Sequence, residues 1–323
     1  MTHPNPKVQL WHFMLQQLAA DIPVMLLYVL ESNGSSPGRQ GFAMSVAPNG
    51  QMYGSIGGGI MEHKFVEMAK EQLKNEEGFS VIKPQSHSKD AGKNQSGMIC
   101  SGNQVVYILK LTQADLPVIE QIIAAYNNNN NHTLKISENG ISINPQSISS
   151  NFEFRFNAET DFLYQEKLGF HQVLHVIGGG HCSLAFCRLM EQLQFQVHVY
   201  ETRDHLNTIA QNIHAHTITI LDSYTQLAAY IPGGMNTYVV IMTFGYRTDD
   251  EALRALINNQ YKYIGVLGSK NKLAKLWEDY KADGISPELL NKIHAPIGIA
   301  IKSQTPVEIA VSIAAQIIAV KNR

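Results

Sequence analysis

The first half of the chain alternates apolar and polar residues in a way that predicts both helices and strands. Apolar residues at helical spacing predict a helix over roughly 7–21. The apolar run at 23–30 predicts a buried strand, and two short apolar runs flanking the Asn-Gly pair at 49–50 predict a β-hairpin. A helix near 60–74 and a strand at 103–111 are the remaining regular elements expected here.

Two polar stretches interrupt this pattern. Residues 84–97 are polar and contain several helix- and strand-breaking residues, and 127–160 contain an asparagine run with few apolar repeats. We expect a mobile loop in the first and an exposed loop with minor strands in the second. A chain of 323 residues suggests about two domains of roughly 150 residues each, which we place at 1–160 and 161–323.

The second half repeats strand and helix patterns in turn. Strands that alternate with helices pair in parallel, which predicts a Rossmann-like doubly wound sheet. Thr305, Pro306 and Glu308 form a capping box with proline at the first helical position and predict the start of the last helix. The fold class is therefore α/β, with this C-terminal parallel sheet joined to a smaller N-terminal α+β domain. Strands are expected at 172–177, 196–201, 216–221, 237–243 and 263–269.

Composition and charge exclude several functional classes. The formal net charge is −2 and the basic residues are scattered, which excludes a nucleic-acid footprint and a polybasic membrane-binding run. No apolar run approaches the roughly 18 residues of a membrane span, and the first residues lack a signal-peptide pattern. Three cysteines, Cys100, Cys182 and Cys187, are too few for a disulfide framework and fit a reducing compartment. We expect a soluble cytoplasmic protein.

A glycine turn in the second half has the spacing of a dinucleotide-binding motif. Gly178 and Gly180 match the first two glycines of GxGxxG, while Ser183 stands at the third position. Glu201 lies 21 residues after Gly180, at the end of the next predicted strand, where a carboxylate binds a ribose hydroxyl. The turn therefore predicts a nucleotide such as NAD, and the alternative is a Rossmann fold with a vestigial cofactor site.

A second triple glycine, at Gly57, Gly58 and Gly59, lies in the first half and fails the dinucleotide tests. It follows a hairpin strand, and no parallel strand is predicted after its helix. Backbone N–H groups at a helix start bind anions, although Glu62 in the first helical turn would repel one. Glycines that only permit close backbone packing are an equally good interpretation.

Several ordered motifs together resemble the XdhC/CoxI family. The resemblance covers nearly the whole chain apart from 84–97 and 127–160. It is carried in the first half by SNGSSPGRQGFAMSV, GSIGGGIMEH and ICSGN, and in the second by VIGGGHCS, MTFGYRTDDEAL, YIGVLGSKNK and APIGIAIKSQTPVEIAVSIAAQIIA.

The resemblance implies a chaperone rather than a catalyst. Such proteins bind molybdenum cofactor and deliver it to xanthine dehydrogenase after a cysteine desulfurase-type sulfur donor has supplied its sulfide. The resemblance gives the triple glycine at 57–59 a ligand, the phosphate of molybdopterin, with Arg39 as a charged partner. Glu62 is counted with these residues as a cofactor-binding candidate. It makes Cys100 the candidate thiolate at the metal, because soft sulfur ligands suit this chemistry.

Other positions follow or depart from the family pattern. His181 matches a histidine common in the family and is a cofactor-binding candidate, as are Ser269 and Lys270. Lys270 and Lys272 could meet a phosphate. A solvated strand end is the alternative for that last pair. The common Cys-Gly-Gly is here Cys100-Ser101-Gly102, and Phe244 stands where a histidine is common.

Two further hypotheses stay open from the sequence. One is an NAD(P)-dependent oxidoreductase using the Rossmann domain, for which Tyr246, Arg247 and Asp249 are the best available proton-transfer groups. The other is a structural partner with both sites empty. The last helix, apolar over most of its circumference, predicts a homodimer.

Overall fold

The computed structural model describes residues 6–86, 102–127, 132–169 and 171–323. It divides the chain into two units, Pro4–Gly169 and Phe170–Arg323. The N-terminal unit is slightly the longer of the two. Strand pairing with its neighbours keeps Asp161–Lys167 in the first unit. Most of the expected loop at 84–97 lies outside the described residues.

The first unit is an α+β domain. Its described helices and strands are α1 (Pro6–Ala19), β1 (Val24–Gly34), β2 (Ala43–Val46), β3 (Met52–Gly54), α2 (Gly59–Gln72), β4 (Ser80–Ser86), β5 (Gly102–Leu111), α3 (Leu116–Asn127), β6 (Thr133–Ser137), β7 (Gly140–Asn144), β8 (Phe152–Ala158) and β9 (Asp161–Lys167).

An antiparallel sheet with the order β3-β2-β1-β5-β4 forms the centre of this unit. Strand β1 is buried on both faces, so its apolar run is continuous rather than alternating. Leu26 and Tyr28 pack toward the core that contains α1 and α3, whereas Leu27 and Val29 pack toward α2. The predicted hairpin is confirmed, since β2 and β3 are antiparallel neighbours across the Asn-Gly turn.

A second antiparallel sheet, β7-β6-β9-β8, includes most of the segment in which an exposed loop with minor strands was expected. Leu134, Ile136, Phe162 and Tyr164 from its two central strands are buried in the first unit's core. The minor strands are present, but Leu134 and Ile136 are buried rather than exposed. They recur at every second position, a period that the surrounding polar residues obscure.

A buried carboxylate joins three elements of the first unit. Glu166 on β9 has no exposed surface and accepts hydrogen bonds from the hydroxyls of Tyr28 and Tyr164. The ammonium group of Lys7 on α1 completes the cluster. Burial and the neighbouring Glu166 charge raise the pKa of both phenols well above the usual value, so the phenols remain protonated donors.

The second unit has the predicted alternation of strands and helices. Its elements are β10 (Val173–Ile177), α4 (His181–Gln192), β11 (Gln196–Glu201), α5 (Asn207–Ala210), β12 (Thr217–Ile220), α6 (Leu227–Tyr230), β13 (Gly234–Ile241), α7 (Tyr246–Leu256), β14 (Tyr261–Val266), α8 (Lys270–Ala282), α9 (Pro287–Leu290) and α10 (Pro306–Lys321).

A parallel sheet with the order β12-β11-β10-β13-β14 confirms the Rossmann-like prediction. Helices α4 and α10 cover one face of the sheet, and α6, α7 and α8 cover the other. The chain leaves β10 in one direction along the sheet and returns to its other side with β13. This reversal creates the crevice in which such folds bind ligands, at the carboxyl ends of the strands.

The last helix begins at the predicted capping box, in which Thr305 and Glu308 exchange hydrogen bonds. One side of α10 is buried against α4 and the sheet, whereas Val307 and Val311, which line a groove between α4 and α10, are 64% and 47% exposed. The homodimer stays a prediction that depends on these exposed apolar side chains. Among the helices of the described residues, none combines the length and apolar content needed to cross a membrane.

Three histidines lie near one another in the parallel sheet: His175 on β10, His198 on β11 and His216 directly before β12. His175 stacks on His198 with ring centroids 5.3 Å apart, and its Nδ1 lies 3.0 Å from the hydroxyl oxygen of Tyr200. Burial lowers the pKa of His175 to about 3 and also lowers the pKa of His198 and His216. These imidazoles are therefore neutral in the folded protein near pH 7.

Acid is expected to destabilise the second unit through His175. In the unfolded chain this histidine binds a proton below about pH 6.5, whereas the folded protein does not until about pH 3. Stability is thus lost as the pH falls through 6.5, by about 2 kcal/mol at pH 5 from this group. Urea unfolding at pH 8 and pH 5 should show a smaller pH effect in His175→Gln than in the wild type. An equal pH effect in both proteins would contradict the assignment.

Candidate functional site

The carboxyl ends of the parallel strands bring the chemically interesting residues of the second unit together. The glycine turn follows β10, Arg203 follows β11, Phe244 follows β13 and Ser269 follows β14. Because parallel strands end at the same edge of a sheet, residues far apart in sequence meet here. Backbone hydrogen bonds tie the turn to its neighbours, including Gly178 N–H to the carbonyl of Tyr200.

Of the three consecutive glycines, Gly178 and Gly179 are closely packed, whereas Gly180 has open space around it. Gly178 has a φ of +105°, and a Cβ there would lie 2.5 Å from the carbonyl oxygen of Met242. A Cβ at Gly179 would lie 2.3 Å from the Ile209 side chain, whereas nothing lies within 4 Å of one at Gly180. Gly178 and Gly179 are therefore required for packing, and Gly180 leaves space through which a ligand can approach the backbone.

Ser183 and His181, which follow the three glycines, differ in burial. Ser183, at the third motif position, is buried with its Oγ 3.8 Å from Cys187 Sγ, so a small side chain serves the packing there. His181 is exposed and lines a groove of about 600 Å³ between α4 and α10. Burial raises the pKa of the Cys187 thiol to about 11 and raises that of Cys182, as expected for packing cysteines.

Glu201 is fully engaged inside the protein. Its carboxylate accepts hydrogen bonds from Gly179 N–H at 2.7 Å, Thr202 N–H at 2.8 Å and the Tyr224 hydroxyl at 3.2 Å. The Arg203 guanidinium adds a bidentate pair through Nε at 3.0 Å and Nη2 at 2.7 Å. Although burial opposes ionisation, these donors lower the pKa of Glu201 to about 2. No oxygen of this carboxylate faces solvent, so a ribose contact would require the clamp to rearrange.

Arg203 also contacts an aromatic ring. Its guanidinium carbon lies 4.4 Å from the centroid of the Phe244 ring, a cation–π geometry, and Phe244 is itself 64% exposed. Phe244 therefore has a defined contact at the position where relatives are expected to carry histidine. Sequence reasoning missed Arg203, although its place two residues after the acidic strand end was a usable signal.

A second ion pair lies at the ends of β13 and β14. Asp249 is buried and accepts hydrogen bonds from the Thr243 hydroxyl at 2.6 Å and the Thr243 N–H at 3.2 Å. The Lys272 ammonium group pairs with Asp249 and donates to the carbonyl of Leu267 at 2.9 Å. Ser269 caps α8 by accepting from Lys272 N–H at 3.3 Å, and Lys270 is exposed. The cluster ties β13, α7 and α8 together.

Two of the three residues considered for proton transfer, Tyr246 and Asp249, are bound to other side chains. The Tyr246 hydroxyl donates to Asp279, and this bond raises the pKa of Tyr246 to about 12. Asp249 belongs to the ion pair with Lys272, and Arg247 is exposed. These contacts do not favour an oxidoreductase that uses Tyr246 as its proton donor.

The triple glycine of the first unit holds an internal carboxylate. Glu62 Oε2 accepts hydrogen bonds from Ile56 N–H at 2.8 Å, Gly58 N–H at 3.0 Å and the Ser55 hydroxyl at 2.7 Å. The Ser55 Oγ in turn accepts from Gly57 N–H at 3.0 Å. Glu62 was expected to repel an anion at this turn, and in the structure it occupies the anion position itself.

Close backbone packing explains one of these glycines. Gly57 has a φ of +127°, and a Cβ there would lie 2.4 Å from the backbone nitrogen of Gly38. Gly58 has a φ of +76° but open space around the position of a Cβ, and Gly59 has a φ of +75°. Arg39 is exposed and donates to the carbonyl of Gly34 at 3.1 Å.

The loop before the hairpin meets the start of β5. Gln104 donates from Nε2 to the carbonyl of Ile56 at 2.9 Å, and its Oε1 accepts from the Ser36 hydroxyl at 3.2 Å. The triple-glycine turn, the 32–41 loop and β5 therefore adjoin one another. Cys100 lies outside the described residues, so its predicted role stays a prediction.

Comparisons with known proteins agree across both units. The model described as the XdhC and CoxI family matches residues 17–81, and the model described as the XdhC Rossmann domain matches 174–317. The uncharacterized protein YqeB of Escherichia coli strain K12 is 25% identical over 93% of this chain, which spans 44% of that relative's length. A protein of Bacillus subtilis strain 168, named as a probable xanthine dehydrogenase subunit, is 22% identical over 97% of this chain and 98% of its own length.

A solved structure shares the fold. The crystal structure of a xanthine dehydrogenase from Bacillus halodurans superposes with a TM-score of 0.70 at 20% identity, covering 97% of this chain and 96% of that one. At this identity the likeness establishes the architecture alone.

Proposed function

Because the chain belongs to the XdhC and CoxI family, we propose that it acts in the maturation of a xanthine dehydrogenase. Its cargo is molybdenum cofactor. The protein holds the cofactor after a sulfur donor has supplied its sulfide, and then passes the cofactor to the enzyme. The observation that carries the proposal is the whole-length likeness to a relative named as a probable xanthine dehydrogenase subunit. The occupied hydroxyl of Tyr246 also favours a carrier over a dehydrogenase.

The phosphate of the cargo does not fit the triple glycine in the conformation described. The N–H groups of Ile56 and Gly58 are bound to Glu62, and a phosphate placed beside that carboxylate would be repelled. Binding at this turn requires Glu62 to move away. Near this turn, the start of α2 at Gly59 and the side chain of Arg39 are exposed and could be reached by an anion. We therefore assign no transfer step to these residues.

The direct test is purification under anaerobic conditions followed by molybdenum analysis and pterin fluorescence. The proposal expects molybdenum and pterin in comparable amounts on the protein, and reconstitution of a cofactor-free xanthine dehydrogenase when the loaded protein is added. Protein that carries neither component, from cells that make the cofactor, would overturn it. So would loaded protein that fails to activate the enzyme when free cofactor succeeds.

Cys100→Ala is expected to lower the retained molybdenum severalfold without changing the melting temperature. A soft thiolate ligand would be lost from the metal, whereas the fold loses only one side chain. Cys182→Ala is the matched control, because its thiol lies on α4 and has a pKa raised by burial. Equal molybdenum content in the wild type and Cys100→Ala would remove Cys100 from the site.

A further inference from the structure

The contact between Arg203 and Phe244 crosses the glycine turn of the second unit. Strand β10 lies between β11 and β13 in the sheet. Arg203 follows β11 and Phe244 follows β13, yet the guanidinium carbon lies 4.4 Å from the ring centroid. The pair therefore meets above the carboxyl end of β10. In dinucleotide-binding folds the phosphates of the ligand lie beside this turn.

The acidic residue that usually recognises NAD is not available at this edge. A carboxylate at the end of the second strand selects NAD by accepting hydrogen bonds from the free ribose hydroxyls. Glu201 has this sequence position but no exposed surface, and its oxygens accept from Gly179, Thr202 and Arg203. A ribose hydroxyl would have to displace one of these donors, which leaves a buried N–H group without a partner.

Arg203 offers a ligand a positively charged hydrogen-bond donor, whereas Glu201 would offer a negatively charged acceptor. Its Nε and Nη2 bind Glu201, whereas Nη1 makes no hydrogen bond within the described part of the chain, and the side chain is 38% exposed. Glu201 and the Phe244 ring hold the guanidinium plane in a fixed orientation. Guanidinium N–H groups match the geometry and charge of a phosphate. The open space beside Gly180 allows a ligand to reach the turn backbone.

We propose that this edge binds a dinucleotide with a phosphate on the adenosine 2′ position, the NADP(H) class, in preference to NAD(H). Arg203 is the residue that contacts the 2′-phosphate, and the burial of Glu201 removes the usual selection for a free hydroxyl. This assignment goes beyond the maturation role, which places no ligand on the second unit. The two can therefore fail independently.

Calorimetric titration of the full chain with NADPH and NADH tests the preference. One charge-assisted contact to the 2′-phosphate predicts about ten- to a hundredfold tighter binding of NADPH. Titration with 2′-AMP and 5′-AMP separates the two possible phosphate sources, and 2′-AMP should bind more tightly. Equal affinity for NADPH and NADH, tighter binding of NADH or of 5′-AMP, or no binding of NADPH at millimolar concentration would each overturn the proposal.

Variants connect the preference to the residues. Arg203→Ala should reduce NADPH affinity to the level of NADH, and Arg203→Lys, which keeps a charge beside Glu201, should reduce the preference without unfolding the site. Gly180→Val should weaken both ligands by filling the open space. Arg188→Ala, which removes an exposed guanidinium on α4, is the matched control and should change neither. A preference that persists in both Arg203 variants, or binding unaffected by Gly180→Val, would contradict the assignment.

Discussion

Replacing Lys272 by methionine is expected to lower the unfolding free energy of the second unit by about 3–5 kcal/mol. The substitution leaves the Asp249 carboxylate, which is 1% exposed, without its opposite charge. Asp249→Asn should cost less, because the Lys272 ammonium group is 25% exposed and retains the carbonyl of Leu267 and water as partners. The double variant should be more stable than Lys272→Met alone, since no uncompensated buried charge remains.

The measurement uses the single tryptophan of each unit. Trp277 lies in the second unit and Trp11 in the first, so Trp11→Phe leaves a fluorophore that reports on the second unit alone. The control is Lys275→Met on the same helix, where an exposed pair with Asp279 at 2.8 Å should contribute much less than the buried pair, because solvent screens exposed charges. Equal decreases in unfolding free energy for Lys272→Met and Lys275→Met would show that the buried pair contributes no more to stability than the exposed pair.

Glu166→Ala is expected to destabilise the first unit by about 3–5 kcal/mol. The change removes the shared acceptor of the Tyr28 and Tyr164 hydroxyls and the counter-charge of Lys7, and it leaves a cavity among buried side chains. Tyr164→Phe should cost about 1–3 kcal/mol, because the carboxylate keeps its other two donors. Urea unfolding followed through Trp11 in a Trp277→Phe background measures both changes.

The matched control for Glu166 lies in the same hairpin. Asp161 pairs with Arg155 at 3.4 Å, and both side chains are more than half exposed. Asp161→Ala should therefore change stability by less than about 1 kcal/mol. If Glu166→Ala were as stable as Asp161→Ala, the buried cluster would be a by-product of packing rather than a support of the first unit.

The glycine turns show how far sequence reasoning could go. The spacing of Gly178, Gly180 and Glu201 identified the right edge of the right sheet, because motif spacing reflects the local strand–turn–helix geometry. It could not show that Glu201 faces inward. The neighbours that engage its carboxylate include Gly179 and Tyr224, 22 and 23 residues away in the sequence. The same limit applies to Glu62, whose repulsive charge was noticed but whose role as the occupant of the first turn was not.

The sequence by itself determined the alternating strands and helices of the second unit and several elements of the first, but not α3 or the second antiparallel sheet. Local periodicity, the Asn-Gly turn and the capping box at Thr305 act within a few residues, so the hairpin, the parallel sheet and α10 followed from them. Only the tertiary structure decided which charges are buried and with whom they pair. Asp249 meets Lys272, and Lys7 meets Glu166, across 23 and 159 residues of chain. Such pairs depend on the packing of whole elements, and no local pattern records them.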